Sequence, residues 1–174
     1  VVFRKTVTIP TVGETTAHLF ADSYYALYLN GRHVLCGPSR FDPKRPEYDT
    51  LPVTSYLKRG ENTIAMLVYG GLSNGMRMQH APGFAMMLEG ADVTVFTDST
   101  WTCSGNTRFK SAVAKWQGFD ETIDATNKTG DCLSVGFDDS AWSKAVYING
   151  NLWGPFFPRS IPLLSEKEIA YEQP

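Results

Sequence analysis

Ala21-Asp22-Ser23-Tyr24-Tyr25-Ala26-Leu27-Tyr28-Leu29-Asn30-Gly31-Arg32-His33-Val34-Leu35 reads as a strand, a two-residue turn and a second strand. Asn-Gly decides it, because a type I′ turn needs positive φ at both central residues and these two residue types tolerate it best. The strand alternation assigns Tyr25 and Tyr28 to packing. A second phrase, Asp49-Thr50-Leu51-Pro52-Val53-Thr54-Ser55-Tyr56-Leu57-Lys58-Arg59-Gly60-Glu61-Asn62-Thr63-Ile64-Ala65-Met66-Leu67-Val68, carries a Gly-Glu-Asn turn that launches a long strand.

Working outward from that hairpin, short strands follow one another. Phe3–Ile9 alternates with period two and stops at Pro10, and Thr15–Ala21 places Ala17, Leu19 and Ala21 on one face. Tyr25–Asn30 and His33–Cys36 are the hairpin arms, and Asn62–Tyr69 reads as a central strand. Gly37–Asp49, with Pro38, Pro43 and Pro46, reads as a long exposed loop, and Gly70–Pro82 as another. Thr50–Leu57 is a short strand or one helical turn. Gly83–Leu88, Val93–Thr97 and Trp101–Cys103 read as a meander, Gly118–Asp139 as turn-rich, and Phe137–Trp142 as a helical turn capped by Asp138 or Asp139. Val146–Ile148 and Ser160–Leu164 are expected to be the last strands. No stretch sustains a 3.6-residue period, so the fold class is all-β: a β-sandwich or jelly roll of two antiparallel sheets with short helical turns.

The chain has 174 residues, 43% hydrophobic and 20% charged, which suits one domain with a real core. The expected division is a sandwich over 1–164 and a tail or linker over 165–174. A formal net charge of −2 argues against a nucleic-acid partner. No apolar run approaches the roughly 20 residues that span a bilayer. Val1 falls inside a strand, so the chain reads as a mature product or a piece of something longer. The run Trp153–Leu164, rich in Pro and aromatics, is expected to dock on this domain or lead into another. Cys36 is read as a small buried hydrophobe, while Cys103 and Cys132, in or beside loops, are left open as a pair. His18, His33 and His80 lack a zinc spacing.

Three phrases stand in order: Ala21–Gly31 (Ala-Asp-x-x-Tyr-x-Leu-Tyr-Leu-Asn-Gly), then Leu57–Ala65 (Leu-Lys-Arg-Gly-Glu-Asn-Thr-Ile-Ala), then Thr97–Trp101 with Gly136–Trp142. This order resembles the N-terminal, galactose-binding-like β-sandwich of bacterial α-L-rhamnosidases and related glycosidases, over nearly the whole chain. Glu121–Ala125 is similar to that family's Glu-x-Tyr-Asp-Ala phrase, with Ile123 in place of Tyr. The resemblance implies a non-catalytic accessory domain of a secreted, periplasmic or cell-surface enzyme. Its partners would be a rhamnose- or galactose-type sugar and a catalytic domain that follows it. In some rhamnosidases such a sandwich holds rhamnose and a calcium ion through an Asp-Asn pair. The matching positions here are Asp22 and Ser23, and a hydroxyl is a poorer calcium ligand than an amide carbonyl. No cofactor is therefore expected, with calcium the one candidate.

Sugar recognition needs an aromatic face for the ring's C–H surface and polar groups for its hydroxyls. Asp22, Ser23, Tyr24, Tyr48, Asp49, Gln79 and His80 have that chemistry in or beside loops, and Trp116 is a further platform or core aromatic. The loop ends around Asp22–Tyr24, Tyr48–Asp49 and Gln79–Pro82 are expected to converge at one rim. Glycoside hydrolysis needs two carboxylates across a cleft, one with a raised pKa. Asp22, Glu47, Asp49, Glu121 and Asp124 supply acids by number but no shielded pair. A purely structural domain or a free-standing lectin-like protein are the alternative readings.

Overall fold

Hydrogen-bond pairing sorts the strands into two facing sheets. A computed structural model describes residues 1–42, 44–70, 83–110, 114–115, 118–119, 122–127, 131–148 and 153–165. The elements are β1 (Val2–Ile9), β2 (Thr15–Asp22), β3 (Tyr24–Leu29), β4 (Arg32–Gly37), β5 (Glu47–Pro52), β6 (Gly60–Tyr69), β7 (Gly83–Gly90), β8 (Val93–Phe96), β9 (Thr102–Ser104), β10 (Phe109–Lys110), β11 (Ala114–Lys115), β12 (Gly118–Phe119), β13 (Thr122–Ile123), β14 (Ser143–Lys144) and β15 (Phe157–Pro158). A six-stranded sheet runs β14-β9-β1-β6-β3-β4 and a five-stranded sheet runs β15-β5-β2-β7-β8. Two ribbons, β10 with β13 and β11 with β12, lie apart. The described helical content is a single 3₁₀ turn at Thr54–Tyr56.

The inner faces meet in a core that includes Ala17, Leu19, Ala21, Tyr25, Leu27, Leu29, Ile64, Met66, Leu88 and Trp101. The predicted Ala17, Leu19 and Ala21 face is thus the core face of β2. β6 lies between β1 and β3 and is buried without a break from Asn62 to Val68. Such a run marks a strand covered on both faces. The second cover is the 131–142 segment, whose Cys132 and Leu133, with Phe137 and Trp142 alongside, pack on Val2, Ala26, Ala65 and Leu67. Arg4 fastens this cover. It sits opposite Ala65, is 1% exposed, donates to the carbonyls of Cys132 and Ser134, and reaches Asp139 at 3.4 Å. The small side chain of Ala65 leaves room for the guanidinium, which also lies over the Phe137 ring at 5.2 Å.

The two quoted turns are bonded to each other. Asn30 holds φ 55° and donates from Nδ2 to Asn62 Oδ1 (2.8 Å) and to the Tyr56 carbonyl (2.9 Å). Its own Oδ1 accepts the Thr63 amide at 3.0 Å. Asn62, fully buried, accepts the Lys58 amide and donates to the Lys58 and Gly60 carbonyls. The Asn-Gly hairpin is therefore set in register against β6 by side chains as well as by strand pairing.

Several sequence expectations are corrected. β5 begins at Glu47, so Tyr48 and Asp49 are strand residues rather than the end of an exposed loop. β9 does not continue the β7-β8 meander: it crosses to pair with β1 in the other sheet. The 137–142 segment is an Asx turn, with the Ser140 amide donating to Asp138 Oδ1 at 3.0 Å, and forms no helix. Val146–Ile148 is not a strand; β14 pairs with β9 just before it, and Val146 is 86% exposed. The last strand among the described residues is β15, not Ser160–Leu164, and it runs parallel to β5. All three cysteines are free thiols. Cys103 lies opposite Phe3 on the core-side face of the six-stranded sheet, whereas Cys132 covers the other face, so the sheet itself keeps them apart. Cys36 is only half-buried, with Sγ 3.2 Å from His33 Nε2.

Candidate functional site

At Ser23 the chain crosses from one sheet to the other, between the last residue of β2 and the first of β3. The Ser23 amide donates to the Tyr69 carbonyl at 3.0 Å, which fixes the crossing. Asp22, next after core-facing Ala21, projects from the outer face of the five-stranded sheet. Its carboxylate is covered: Trp153 Nε1 donates to Oδ2 and the Ser23 hydroxyl to Oδ1, each at 3.1 Å. The Trp153 ring in turn meets Phe20 edge-on at 5.2 Å, within a cluster completed by Phe41 and Phe156. Tyr24 lies opposite Tyr69 on β6, ring centroids 6.1 Å apart. The Asp22 carboxylate, the Ser23 hydroxyl and the Trp153 indole thus share one corner, while the Tyr24 and Tyr69 rings turn to the outer face of the six-stranded sheet, on the side of Ala26 and Leu67.

Of the predicted site residues, this corner gathers Asp22 and Ser23, while Tyr24 faces outward on the other sheet. Tyr48 and Asp49 separate, because neighbours on a strand face opposite ways. Asp49 points between the sheets and is 1% exposed. It accepts the Tyr25 hydroxyl at 2.5 Å and the Arg159 guanidinium at 2.7 Å. Burial pushes the Tyr25 phenol well above its usual range, and the adjacent Asp49 charge adds to it. The rim placement expected for Asp49 is therefore replaced by a buried structural one. Tyr48 lies on the outer face, its ring meeting His18 edge-on at 5.8 Å. Gln79, His80 and Pro82 lie outside the described residues, as do Trp116 and Glu121.

Other described acids serve turns and contacts. Thr100 holds Asp98, Thr126 holds Asp124 and Ser140 holds Asp138, each by a hydroxyl hydrogen bond that lowers the carboxyl below its usual range. That is opposite to the shift a general acid needs. Glu47 accepts the amide and hydroxyl of Ser160. Among the described residues no three His, Cys, Asp or Glu side chains gather around one point.

Residues 11–155 match the family model described as the alpha-L-rhamnosidase N-terminal domain. The chain belongs to this family. Similar solved structures include a GH78 family rhamnosidase of Bacillus sp. GL1, at 31% identity and TM-score 0.78 over 93% of this chain and 18% of that one. The alpha-L-rhamnosidase of Streptomyces avermitilis, solved complexed with L-rhamnose, shares 28% identity at TM-score 0.70 over 86% of this chain and 16% of that one. A lectin from Pleurotus ostreatus in complex with GalNAc shares the fold, at 16% identity and TM-score 0.53 over 92% of this chain and 41% of its own. No curated protein matches the chain. This rhamnosidase N-terminal domain spans less than a fifth of the length of the rhamnosidases it matches.

Sequence reading of this rhamnosidase N-terminal domain passed over two residues that shape the corner and its support, Trp153 and Arg159. Their signal is the aromatic and basic character of the 153–159 run. Only the fold shows that this run returns to β2 and β5.

Proposed function

We propose that this domain is a non-catalytic accessory module that holds a rhamnose- or galactose-type sugar at the Asp22–Ser23 corner, serving a catalytic domain elsewhere in a secreted or cell-surface α-L-rhamnosidase-like enzyme. The carrying observation is the Asp22 carboxylate at the sheet-to-sheet crossing, oriented by the Ser23 hydroxyl and by the Trp153 indole, itself an aromatic face. A carboxylate accepts two vicinal hydroxyls, and an indole ring takes a sugar's C–H face. A shift of the Trp153 indole is needed to admit the hydroxyls, so the corner trades an internal hydrogen bond for those of a ligand. The commitment of Asp49 to Tyr25 and Arg159 supports a binding role over a hydrolytic one.

A second reading, a purely structural domain, is favoured by one observation: Trp153 and Arg159 bring the late chain back onto its own sheet and use Asp22 and Asp49 to do so. Titration calorimetry with L-rhamnose and D-galactose on wild type and Asp22→Ala separates the two. The binding module gives dissociation constants in the millimolar-to-micromolar range, about −4 to −8 kcal/mol, lost in Asp22→Ala. Equal binding by wild type and variant, or none at tens of millimolar sugar, leaves the structural reading.

A further inference from the structure

The outer face of the five-stranded sheet carries a groove of about 510 Å³, walled by Tyr48, Phe156, Met87 and Phe96 and floored by Ala85 beside Phe20. From it we infer that the domain has a second sugar-binding surface, distinct from the Asp22 corner and selective for uncharged over acidic sugars. The inference rests on the accessory-module reading but on His18, Met87, Glu89 and Phe96, which the Asp22 corner does not use, with Phe20 and Phe156 bordering both.

Strand register builds the groove. His18 lies opposite Thr50 on one side and Met87 on the other, and Met87 lies opposite Phe96, so Thr50, His18, Met87 and Phe96 form one row across four strands. In the next row Phe20 lies opposite Ala85, whose single methyl leaves the depression. The Phe96 ring is 54% exposed, yet its backbone is anchored: its carbonyl accepts Trp101 Nε1 at 2.8 Å, from a fully buried indole. On an anchored backbone, only the two side-chain torsions of Phe96 remain to be ordered when a ligand stacks on its ring.

Polar groups line the same row. His18 Nε2 donates to Glu89 Oε1 at 3.2 Å, and Nδ1 shares a hydrogen bond with the Thr50 hydroxyl at 3.0 Å. This chain orients the Glu89 carboxylate, which is 54% exposed beside the groove and retains acceptor capacity on Oε2. An aromatic wall with an oriented carboxylate is suited to a pyranose: apolar face on Phe96 and Met87, hydroxyl pair on Glu89. The carboxylate repels a uronate, which sets the selectivity. Asp22 lies four residues along β2 from His18, roughly 13 Å, so the two surfaces are separate along one strand.

The test uses the 174-residue chain labelled with ¹³C-methyl methionine, the Met87 signal assigned through Met87→Leu. L-rhamnose, D-galactose and D-galacturonate are titrated in turn. The Met87 methyl is expected to shift with a neutral sugar in wild type and equally in Asp22→Ala. Phe96→Ala and Glu89→Gln, both at exposed side chains, are each expected to weaken that response about tenfold while leaving Asp22-dependent binding intact. D-galacturonate should bind about tenfold more weakly than D-galactose. A Met87 signal silent to both neutral sugars overturns the proposal even where the Asp22 corner binds. So does a Met87 response lost in Asp22→Ala, or one unchanged in Phe96→Ala and Glu89→Gln. Equal affinity for D-galacturonate overturns the selectivity.

Discussion

The Tyr25 hydroxyl donates to Asp49 Oδ2 at 2.5 Å across the gap between the two sheets, inside an otherwise apolar core. Arg159 completes the contact from the late chain, and Gly37 lies so close that a Cβ there would overlap both the Asp49 carboxylate and the Tyr25 ring. A buried carboxylate is tolerated only when paired, and here each of its oxygens has a donor.

Asp49→Ala strands the Arg159 guanidinium and the Tyr25 hydroxyl together. Breaking a buried pair from one side costs about 3–5 kcal/mol. Urea denaturation should show a loss of that size. Tyr25→Phe, which leaves Asp49 its arginine, should cost only about 1–3 kcal/mol. Equal losses from the two variants would show that Arg159 contributes little.

Alkaline pH acts through the same phenol. Its folded-state pKa lies above the ordinary value near 10, so above that pH the unfolded chain gives up a proton that the folded chain keeps. Stability from this group is complete below about pH 10 and falls by about 1.4 kcal/mol per unit beyond it. Denaturation midpoints between about pH 9 and 11 should decline more steeply in wild type than in Tyr25→Phe. Parallel slopes would remove Tyr25 as the cause.

Arg4 carries the cover over the outer face of the six-stranded sheet. In Arg4→Met the carbonyls of Cys132 and Ser134 lose their donor, and Asp139 keeps only the Thr102 hydroxyl. A loss of about 3 kcal/mol or more is expected. Limited proteolysis should cut first within 131–142. Cleavage elsewhere, with 131–142 still protected, would show that Leu133, Phe137 and Trp142 hold the cover unaided.

Asn30 and Asn62 should be energetically coupled. A double-mutant cycle with Asn30→Ala and Asn62→Ala is expected to give an interaction energy of about 0.5–3 kcal/mol, since each loses a bond to the other. Additive losses would mean that each asparagine serves only its own turn.

Calcium should change sugar affinity little. A site for this ion takes six to eight oxygens, and Ser23 offers a hydroxyl that is already donating to Asp22. Titrations in millimolar calcium and in chelator should agree within about twofold, less than the 1.4 kcal/mol that a tenfold change represents. A calcium-dependent affinity would place ligands beyond Asp22 and Ser23 in the corner.

Much of this architecture was legible because its causes are local. Asn30-Gly31 dictates a turn from its own φ preferences, and the Ala17, Leu19, Ala21 alternation fixes the buried face of β2. What stayed hidden depends on distant partners. Asp49 follows a proline-rich run and looks like loop, since the arginine that makes its burial tolerable is 110 residues away. Val146–Ile148 has the composition of a strand, but β9 is already paired by Ser143–Lys144. The crossing at Asp22, Ser23 and Tyr24 is local, since the three are consecutive. Trp153 is not, because only the returning chain brings it to Asp22. The groove row Thr50, His18, Met87 and Phe96 draws on four strands, and no one segment displays it.

The parallel closing strand and Arg159 also impose an order in time. At ribosomal rates of about 5–20 residues per second, Asp49 emerges roughly 5 to 20 s before its arginine does. Through that interval the nascent sandwich has its hairpins and hydrophobic faces but carries a core carboxylate with no counter-charge. Completion of the first sheet pairings is therefore no signal that the domain is finished, and the later-made stretch that carries β15 and Arg159 acts as its latch.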